Sequence, residues 1–338
     1  MRYTRVHMEP IAVQLAPVVV TTAELEARLA PVYAALRIPE GQLEALTGIA
    51  ERRFWEPGFL PSRGAALAAR KALEASGLRP DDVEVLIYAG VCRDELEPAT
   101  ACHVAAEIGV SPRAAVYDLG NACLGVLNGI LDVANRIELG QVRAGLVVSC
   151  ESAREIVDAT IDRMLARRDM DLFRLSLATM TGGSGAVAVL VTDGSFGGAG
   201  RRRLVGAATR TAPEHHLLCR WQHGCMATDS VSVLKHGVDL GRRTWEDFLR
   251  ALGWTADGVD KTVCHQVGSA HRSAILKALG LSPERDFATY AHLGNMGTAA
   301  LPAAASIAES REFLVPGERV AFLGIGSGLN CMMLGWEW

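Results

Sequence analysis

Between Leu124 and Ile137 the chain carries apolar residues on nearly every side of a helix: Leu124, Val126, Leu127, Ile130, Leu131, Val133, Ala134 and Ile137. A helix without a polar face must be covered all round, so it belongs inside a large core. A chain of 338 residues is long enough to build one, either as two domains or as one large duplicated unit. Just upstream, Ala115-Val116-Tyr117-Asp118 reads as a short buried strand and Leu119-Gly120-Asn121-Ala122 as a tight turn. Gly120 admits that turn without a Cβ penalty, and Asn121 is a good N-cap. This predicts that Cys123 sits in the first turn of the buried helix, where free N–H groups and the helix dipole favour a thiolate. The residue is then either a nucleophile or, as most free cysteines are, a small buried hydrophobe. The stretch alone leaves both readings open.

Composition narrows the class. A net charge of −4 gives no support for nucleic-acid binding. The one basic run, Arg201-Arg202-Arg203, follows Gly197-Gly198-Ala199-Gly200 and is predicted to be a solvated loop. The eight cysteines, at 92, 102, 123, 150, 219, 225, 264 and 331, form no C-x-x-C pair and no His/Cys cluster of zinc-ligand spacing. Scattered cysteines without a signal-peptide pattern point to a reducing, cytoplasmic setting. No apolar run reaches transmembrane length, so no membrane span is expected.

Along the chain, Ile11 to Val20 reads as a strand, and Thr21-Thr22-Ala23-Glu24 as a capping box opening a helix through Leu25, Leu29 and Val32. Thr47 to Trp55 is turn-like, with a basic and aromatic edge. A helix over Arg63 to Ser76 ends at Gly77. Val83 to Ala89 has the pattern of a strand buried on both faces. The polar loop Arg93-Asp94-Glu95-Leu96-Glu97-Pro98 leads into a helix from Ala99 to Ile108. A strand follows over Ala144 to Ser149, then a helix over Ala153 to Met180, then a strand ending near Val191. Gly194 to Gly200 is the most linker-like stretch.

The second half echoes the first. Asp81-Asp82-Val83-Glu84-Val85 is matched by Asp257-Gly258-Val259-Asp260-Lys261. Ser111-Pro112 with Leu119-Gly120-Asn121 is matched by Ser282-Pro283 with Leu293-Gly294-Asn295. Leu139-Gly140-Gln141-Val142 is matched by Pro316-Gly317-Glu318-Arg319-Val320. The offsets stay between about 171 and 178 residues, and three echoes in one order indicate an internal duplication. Halves of 1–193, carrying Cys123, and 194–338 are predicted, built as a layered α-β-α-β-α core.

Such a duplication brings matching strand ends together near a pseudo-twofold axis. Cys123 and Asn295 lie on matching turns. His265 follows the strand Lys261-Thr262-Val263-Cys264, and Glu97 follows its first-half counterpart. The chain closes on Gly324-Ile325-Gly326-Ser327-Gly328-Leu329-Asn330, a glycine-rich turn able to aim backbone N–H groups at an anion. Taken singly, each has an ordinary structural explanation. The common register is what makes them candidates for one site.

These residues resemble a known family. Thr47-Gly48-Ile49 with Arg52-Arg53, the run Asp118 to Gly125, His265-Gln266, Gly294-Asn295 and the Gly-x-Gly-x-Gly end are similar to thiolase-superfamily condensing enzymes of the ketoacyl synthase III type. Arg93-Asp94 with Leu96-Glu97-Pro98, Asn121-Ala122-Cys123-Leu124 and Gly324 to Cys331 most resemble the head-to-head acyl-CoA condensing enzymes of long-chain olefin biosynthesis. The resemblance implies the thiolase fold, and a non-decarboxylative Claisen condensation of two fatty acyl thioesters. It further implies that a fatty acyl-CoA or acyl-ACP acylates Cys123, with the oxyanion held by the N–H groups of Cys123 and Ser327. His265 and Asn295 would stabilise an enolate formed when Glu97, lent across a homodimer, removes an α-proton. Arg52, Arg53 and Trp55 would contact substrate. No cofactor is implied beyond coenzyme A as acyl carrier. The alternatives are a decarboxylating ketoacyl synthase III using a malonyl thioester, and a related acyltransferase. Three departures stand out: Ala50 replaces an arginine often found beside the adenine of coenzyme A, Val267-Gly268-Ser269 follows His265-Gln266, and Leu293, not a histidine, precedes Gly294.

Overall fold

The computed structural model describes residues 1–196, 202–222 and 224–338. Strands β1 (His7–Met8), β2 (Ala12–Leu15) and β3 (Val18–Thr21) lead into helices α1 (Thr22–Arg28), α2 (Ala30–Leu36) and α3 (Gln42–Thr47). β4 (Glu51–Phe54) and α4 (Pro61–Ser76) precede β5 (Val85–Tyr88), α5 (Thr100–Ile108), β6 (Ala115–Asp118), α6 (Gly125–Glu138) and β7 (Ala144–Glu151). Then come α7 (Arg154–Arg167), α8 (Met170–Ser176), β8 (Gly185–Thr192), β9 (Arg202–Thr211), β10 (Cys219–Gln222) and β11 (Cys225–Thr228). The chain closes through α9 (Ser230–Leu252), β12 (Lys261–Cys264), α10 (Ser269–Leu279), α11 (Tyr290–Leu293), α12 (Ala300–Ser310), β13 (Arg319–Gly326) and β14 (Asn330–Glu337).

The strand order repeats. First-half strands lie as β6-β5-β7-β8, with β2 also on β8, and second-half strands as β12-β13-β14-β9. Matching pairs run in the same sense: β5 is parallel to β7 and β12 to β13, whereas β7–β8 and β13–β14 are antiparallel. β5 and β12 begin 176 residues apart, and β7 and β13 begin 175 apart, as do α6 and α12. Where β6 would recur, Asp286 makes only a single bridge beside Thr262. The short β1 pairs with both β8 and β9 and joins the two halves.

Alternation along the strands sorts side chains into layers. Val85, Ile87, Val147, Val187 and Val189 face one shared core with Val320, Phe322, Met332 and Leu334 of the other half. α6 and α12 fill that core between the two sheet halves. Leu86, Tyr88, Leu146 and Val148 face outward onto α4 and α5. Ala321, Leu323, Cys331 and Met333 face outward onto α9 and α10. This is the duplicated α-β-α-β-α arrangement of the thiolase fold. α6 is part of the central layer, but it is not covered all round: Asn128, Asp132, Asn135 and Arg136 form a polar stripe along it, with Asn135 exposed, so the expectation of a helix without a polar face is corrected. Among the described residues no helix is long and apolar enough to cross a membrane.

Several local expectations are corrected. The strand expected over Ile11 to Val20 breaks at Ala16-Pro17 into β2 and β3, because Pro17 cannot donate to a ladder. β3 pairs with β4, so Glu51–Phe54 is a strand and not a turn. The capping box at Thr21 and Glu24 is present, but the helix it opens stops at Arg28 and restarts at Ala30. The helix expected over Ala153 to Met180 breaks at Arg168, which is left-handed, and resumes as α8 from an Asp169 cap. In the basic run, Arg201 lies outside the described residues, as does Gly197 to Gly200. Arg202 and Arg203 belong to β9 and pair with Glu309 and Glu337, so they are not a solvated loop.

α6 reaches its strand through two glycines. A Cβ at Gly129 would lie 2.6 Å from Val147 Cγ1, and one at Gly145 would lie 2.6 and 2.7 Å from the two γ-methyls of Val133. Because both methyls are in the way, no rotation of Val133 relieves the second clash. Gly145→Ala is expected to lower stability by about 1–3 kcal/mol, read as a reduced urea midpoint at unchanged slope. An unchanged midpoint would show that α6 and β7 are not so tightly apposed.

Candidate active site

The segment joining β6 to α6 is more strained than its sequence suggests. The left-handed residue is Ala122, at φ 44°, and not Gly120. Holding an alanine there costs roughly 1–2 kcal/mol, and such residues concentrate at functional sites. Gly120 serves instead to leave room for Arg93, whose Nη2 would lie 3.1 Å from a Cβ at that position. Asn121 does not cap the helix. Its Nδ2 donates to Asn128 Oδ1 at 2.5 Å, and its Oδ1 accepts from Asn330 Nδ2 at 3.1 Å. The helix starts at Gly125, and Thr298 Oγ1 caps it by accepting from the Val126 N–H at 2.7 Å. Cys123 therefore lies two residues before the helix, not in its first turn.

Cys123 lines a cavity of about 530 Å³ whose wall also includes Asn295, Ser327, Gly90, Arg93 and Glu151. Cys219, Trp221 and Met226 from the β10–β11 hairpin complete one side. Asn295 is fixed by its backbone, which donates to Thr181 O and accepts from the Gly183 N–H, and by its Oδ1, which accepts from the Gly297 N–H at 3.1 Å. That leaves the NH₂ group as the free end of the side chain. Ser327 is the first residue beyond β13.

His265 directly follows β12, where its N–H donates to Leu323 O of β13. It is 4% exposed, and neither ring nitrogen has a hydrogen-bond partner. A buried imidazole with two idle nitrogens is unusual unless a ligand is meant to use them. Gln266 sets the backbone here: its Nε2 donates to Cys264 O, and its Oε1 accepts from the Thr289 and Tyr290 N–H groups ahead of Asn295. His265 is not on the cavity wall itself.

The electrostatics differ from the sequence expectation. Burial pushes the Cys123 thiol up to about 12, with the Glu151 carboxylate adding to the effect. Burial pushes the His265 imidazole down to about 3, helped by His271, so this ring is neutral at physiological pH. Desolvation outweighs the pull of the helix terminus on the thiol. Glu151 is itself raised, by burial, against the backbone N–H groups that hold it.

Glu97 is exposed and lies outside this cavity, although its neighbour Leu96, 99% exposed, touches the mouth. The loop is anchored at both ends. Asp94 Oδ1 accepts from the Ser62 N–H at 2.8 Å at the start of α4. Asp118, at the end of β6, accepts from the Thr100 and Ala101 N–H groups at 3.0 and 2.8 Å. α5 begins at Thr100, with Ala99 as its N-cap, one residue later than expected.

The three residues expected to contact substrate lie off this cavity wall. Arg52 is fully buried, with its guanidinium donating to Thr22 Oγ1 and to Met180 O, so it braces α1 and cannot meet substrate here. Trp55 is 3% exposed, donates to Glu151 O and stacks on Phe59. Arg53 is partly buried, donates to Ala16 O, and is not on the wall. The sequence reading missed Glu151 and Asp118. The available signal was their place: each is an acidic residue at the end of a strand that runs parallel to β5, Asp118 on β6 and Glu151 on β7.

Residues 249–338 match the family of 3-oxoacyl-[acyl-carrier-protein (ACP)] synthase III C-terminal regions. The chain is 55% identical to an acyl-CoA:acyl-CoA alkyltransferase of Shewanella oneidensis, covering 100% of both. It is 36% identical to the protein of the same name from Xanthomonas campestris pv. campestris, over 96% of each. It is 30% identical to a β-ketoacyl-[acyl-carrier-protein] synthase III of Streptomyces coelicolor, over 92% of this chain and 90% of that one. Its fold is similar to that of cerulenin-bound Xanthomonas campestris OleA, with a TM-score of 0.97 at 35% identity, covering 100% of this chain and 98% of that chain.

A thiol raised to about 12 is almost wholly protonated at neutral pH. Alkylation of Cys123 by iodoacetamide, followed peptide by peptide, is expected to keep rising with pH through the range where an ordinary cysteine levels off. A plateau near pH 7 would mean that the free enzyme already stabilises the thiolate.

Proposed function

This chain belongs to the ketoacyl-synthase-III-like condensing enzymes, in the branch of the acyl-CoA:acyl-CoA alkyltransferases, and from that membership we propose that it joins two fatty acyl thioesters head to head, without loss of CO₂, through an acyl-Cys123 intermediate. The observation that carries the reading is that Cys123, Asn295 and Ser327, remote in sequence, share one cavity at the tip of a buried helix.

Acylation forms a bond from Cys123 Sγ to the first thioester carbonyl carbon and breaks the bond from that carbon to the sulfur of coenzyme A. The thiol proton leaves with the departing coenzyme A thiolate. Negative charge on the carbonyl oxygen is met by the Cys123 and Ser327 N–H groups, donors fixed before the charge develops. The high resting position of the thiol fits a nucleophile that ionises only as it reacts.

The second thioester must then lose an α-proton, which is weakly acidic and requires a positioned base. Glu97 takes that role. Since it lies outside its own chain's cavity, it works in the cavity of a second copy, and the active form is a homodimer of twofold symmetry. The enolate oxygen accepts from the neutral His265 ring and the Asn295 NH₂ group. The enolate carbon attacks the acyl-Cys123 carbonyl and the carbon–sulfur bond breaks. The departing Cys123 thiolate takes up a proton, balancing the one that Glu97 removed and gives back, so that the thiol and the Glu97 carboxylate are both regenerated. The product is a β-ketoacyl thioester, hydrolysed to a β-keto acid. The acyl carrier is coenzyme A, and the pathway is olefin biosynthesis.

Cys123→Ala should abolish the acyl adduct seen by intact-protein mass spectrometry after mixing with acyl-CoA. Glu97→Gln should keep the adduct but condense on the order of 10²-fold more slowly. Mixing and exchanging the two inactive variants tests the shared site. Mixed dimers hold one complete site each, so about a quarter of wild-type activity should return. No recovery despite exchange, or a fully active monomer, would end the shared-site reading.

A further inference from the structure

β7 ends in Glu151, and the duplicated register equates that position with Gly326 at the end of β13. The two strand ends make crossed contacts. Gly326 lies against the approach to α6, where an added Cβ would sit 3.4 Å from Cys123 N. Glu151 lies against the approach to α12, where a Cβ on Gly297 would sit 3.0 Å from Glu151 Cδ. One half thus leaves the seat open beside the nucleophile, and the other fills its counterpart with a carboxylate.

That carboxylate has two attachments. Its Oε1 accepts from the Val91 N–H at 3.0 Å and its Oε2 from the Cys92 N–H at 3.2 Å. These amides are the root of the loop that runs through Arg93 to Glu97. On the other side it accepts from the Thr298 N–H and packs on Gly297, whose N–H donates to Asn295 Oδ1. Glu151 is 4% exposed, and among the described residues no arginine or lysine forms an ion pair with it. Burying a carboxylate without a cation is expensive, and a hydrophobe would fill the space at less cost. What a hydrophobe could not do is hold two backbone amides on one side and the Asn295 turn on the other.

We propose that Glu151 is a positioning residue of this site: it fixes the root of the Glu97 loop and the turn carrying Asn295 at one separation around Cys123. In a homodimer it would tie the enolate donor of its own cavity to the base its chain lends to the other. This deepens the condensing reading and rests on it.

Glu151→Gln keeps the side chain's volume but turns an NH₂ group toward one of the two amides. With long-chain acyl-CoA, the acyl-Cys123 adduct should form no more slowly than in the wild type, because neither Glu97 nor Asn295 acts in that step and losing the Glu151 charge eases ionisation of the Cys123 thiol. Formation of β-keto product should fall on the order of 10²-fold, the effect of a displacement near 1 Å. Glu151→Asp, with the charge kept and the reach shortened, should fall between the two. Amide hydrogen exchange should quicken at Val91, Cys92 and Gly297 and stay slow elsewhere. Condensation at the wild-type rate in Glu151→Gln overturns the proposal. So does an equal loss of acylation and condensation with exchange raised throughout, the mark of a merely structural residue. Should Glu151→Gln not fold, Glu151→Asp carries the same comparison. If the wild type itself condenses nothing from acyl-CoA, the condensing reading fails, and exchange at the three amides alone decides whether Glu151 anchors them.

Discussion

At Gly324 and Gly326, β13 comes so close to the start of α6 that side chains there would collide with it or crowd it. A Cβ at Gly324 would sit 2.6 Å from both Leu124 Cδ2 and Leu127 Cδ1, and one at Gly326 would sit 3.4 Å from Cys123 N. Two residues apart on a strand, the glycines share one face. This apposition brings Ser327 to the same cavity wall as Cys123, and the rest of the site follows from it. β12 pairs with β13, which sets His265, and Gln266 then ties His265's strand to the turn before Asn295. Asn330, opening β14, reaches back to Asn121 and steadies the segment before Cys123.

The fold was legible because its strongest signals were packing signals. A helix with so wide an apolar surface belongs in an inner layer, and α6 is in one, although its Asn128, Asp132, Asn135 and Arg136 stripe stays uncovered. The echoes across the halves reflect a strand order that is in fact repeated. What was not legible depended on contacts between distant segments. Asn121 looked like a cap because its local sequence allows it, but Asn128 and Asn330 claim its side chain and Thr298 supplies the cap. Gly324 and Gly326 looked like part of an anion-binding turn, yet they lie within β13 and serve close packing. Arg52 looked like a surface cation, but β4 turns it into the interior against Thr22 and Met180. The hairpin that completes the cavity wall carried no signal in the sequence. Local pattern specifies elements, and the partner of a polar side chain is settled only when the elements meet.

The site is electrostatically quiet before substrate arrives. Cys123 is a thiol pushed up to about 12 and His265 a neutral ring with idle nitrogens. Such a site does not hold a standing thiolate–imidazolium pair. It holds donors, ready for the two oxyanions that appear in turn, in surroundings that strengthen each hydrogen bond as water leaves. The base in the proposed sequence, Glu97, is kept outside this cavity on a loop anchored at both ends. In the proposed function a second chain presents it.

The central claim is that carbon–carbon bond formation here proceeds by proton abstraction and not by decarboxylation. Incubating the wild-type enzyme with a single long-chain acyl-CoA, with no malonyl thioester present, and analysing the products by mass spectrometry tests it directly. The account predicts a β-keto acid or its thioester containing two copies of the acyl chain, with no CO₂ released in the condensation itself. Turnover that appears only when a malonyl thioester is added would contradict it.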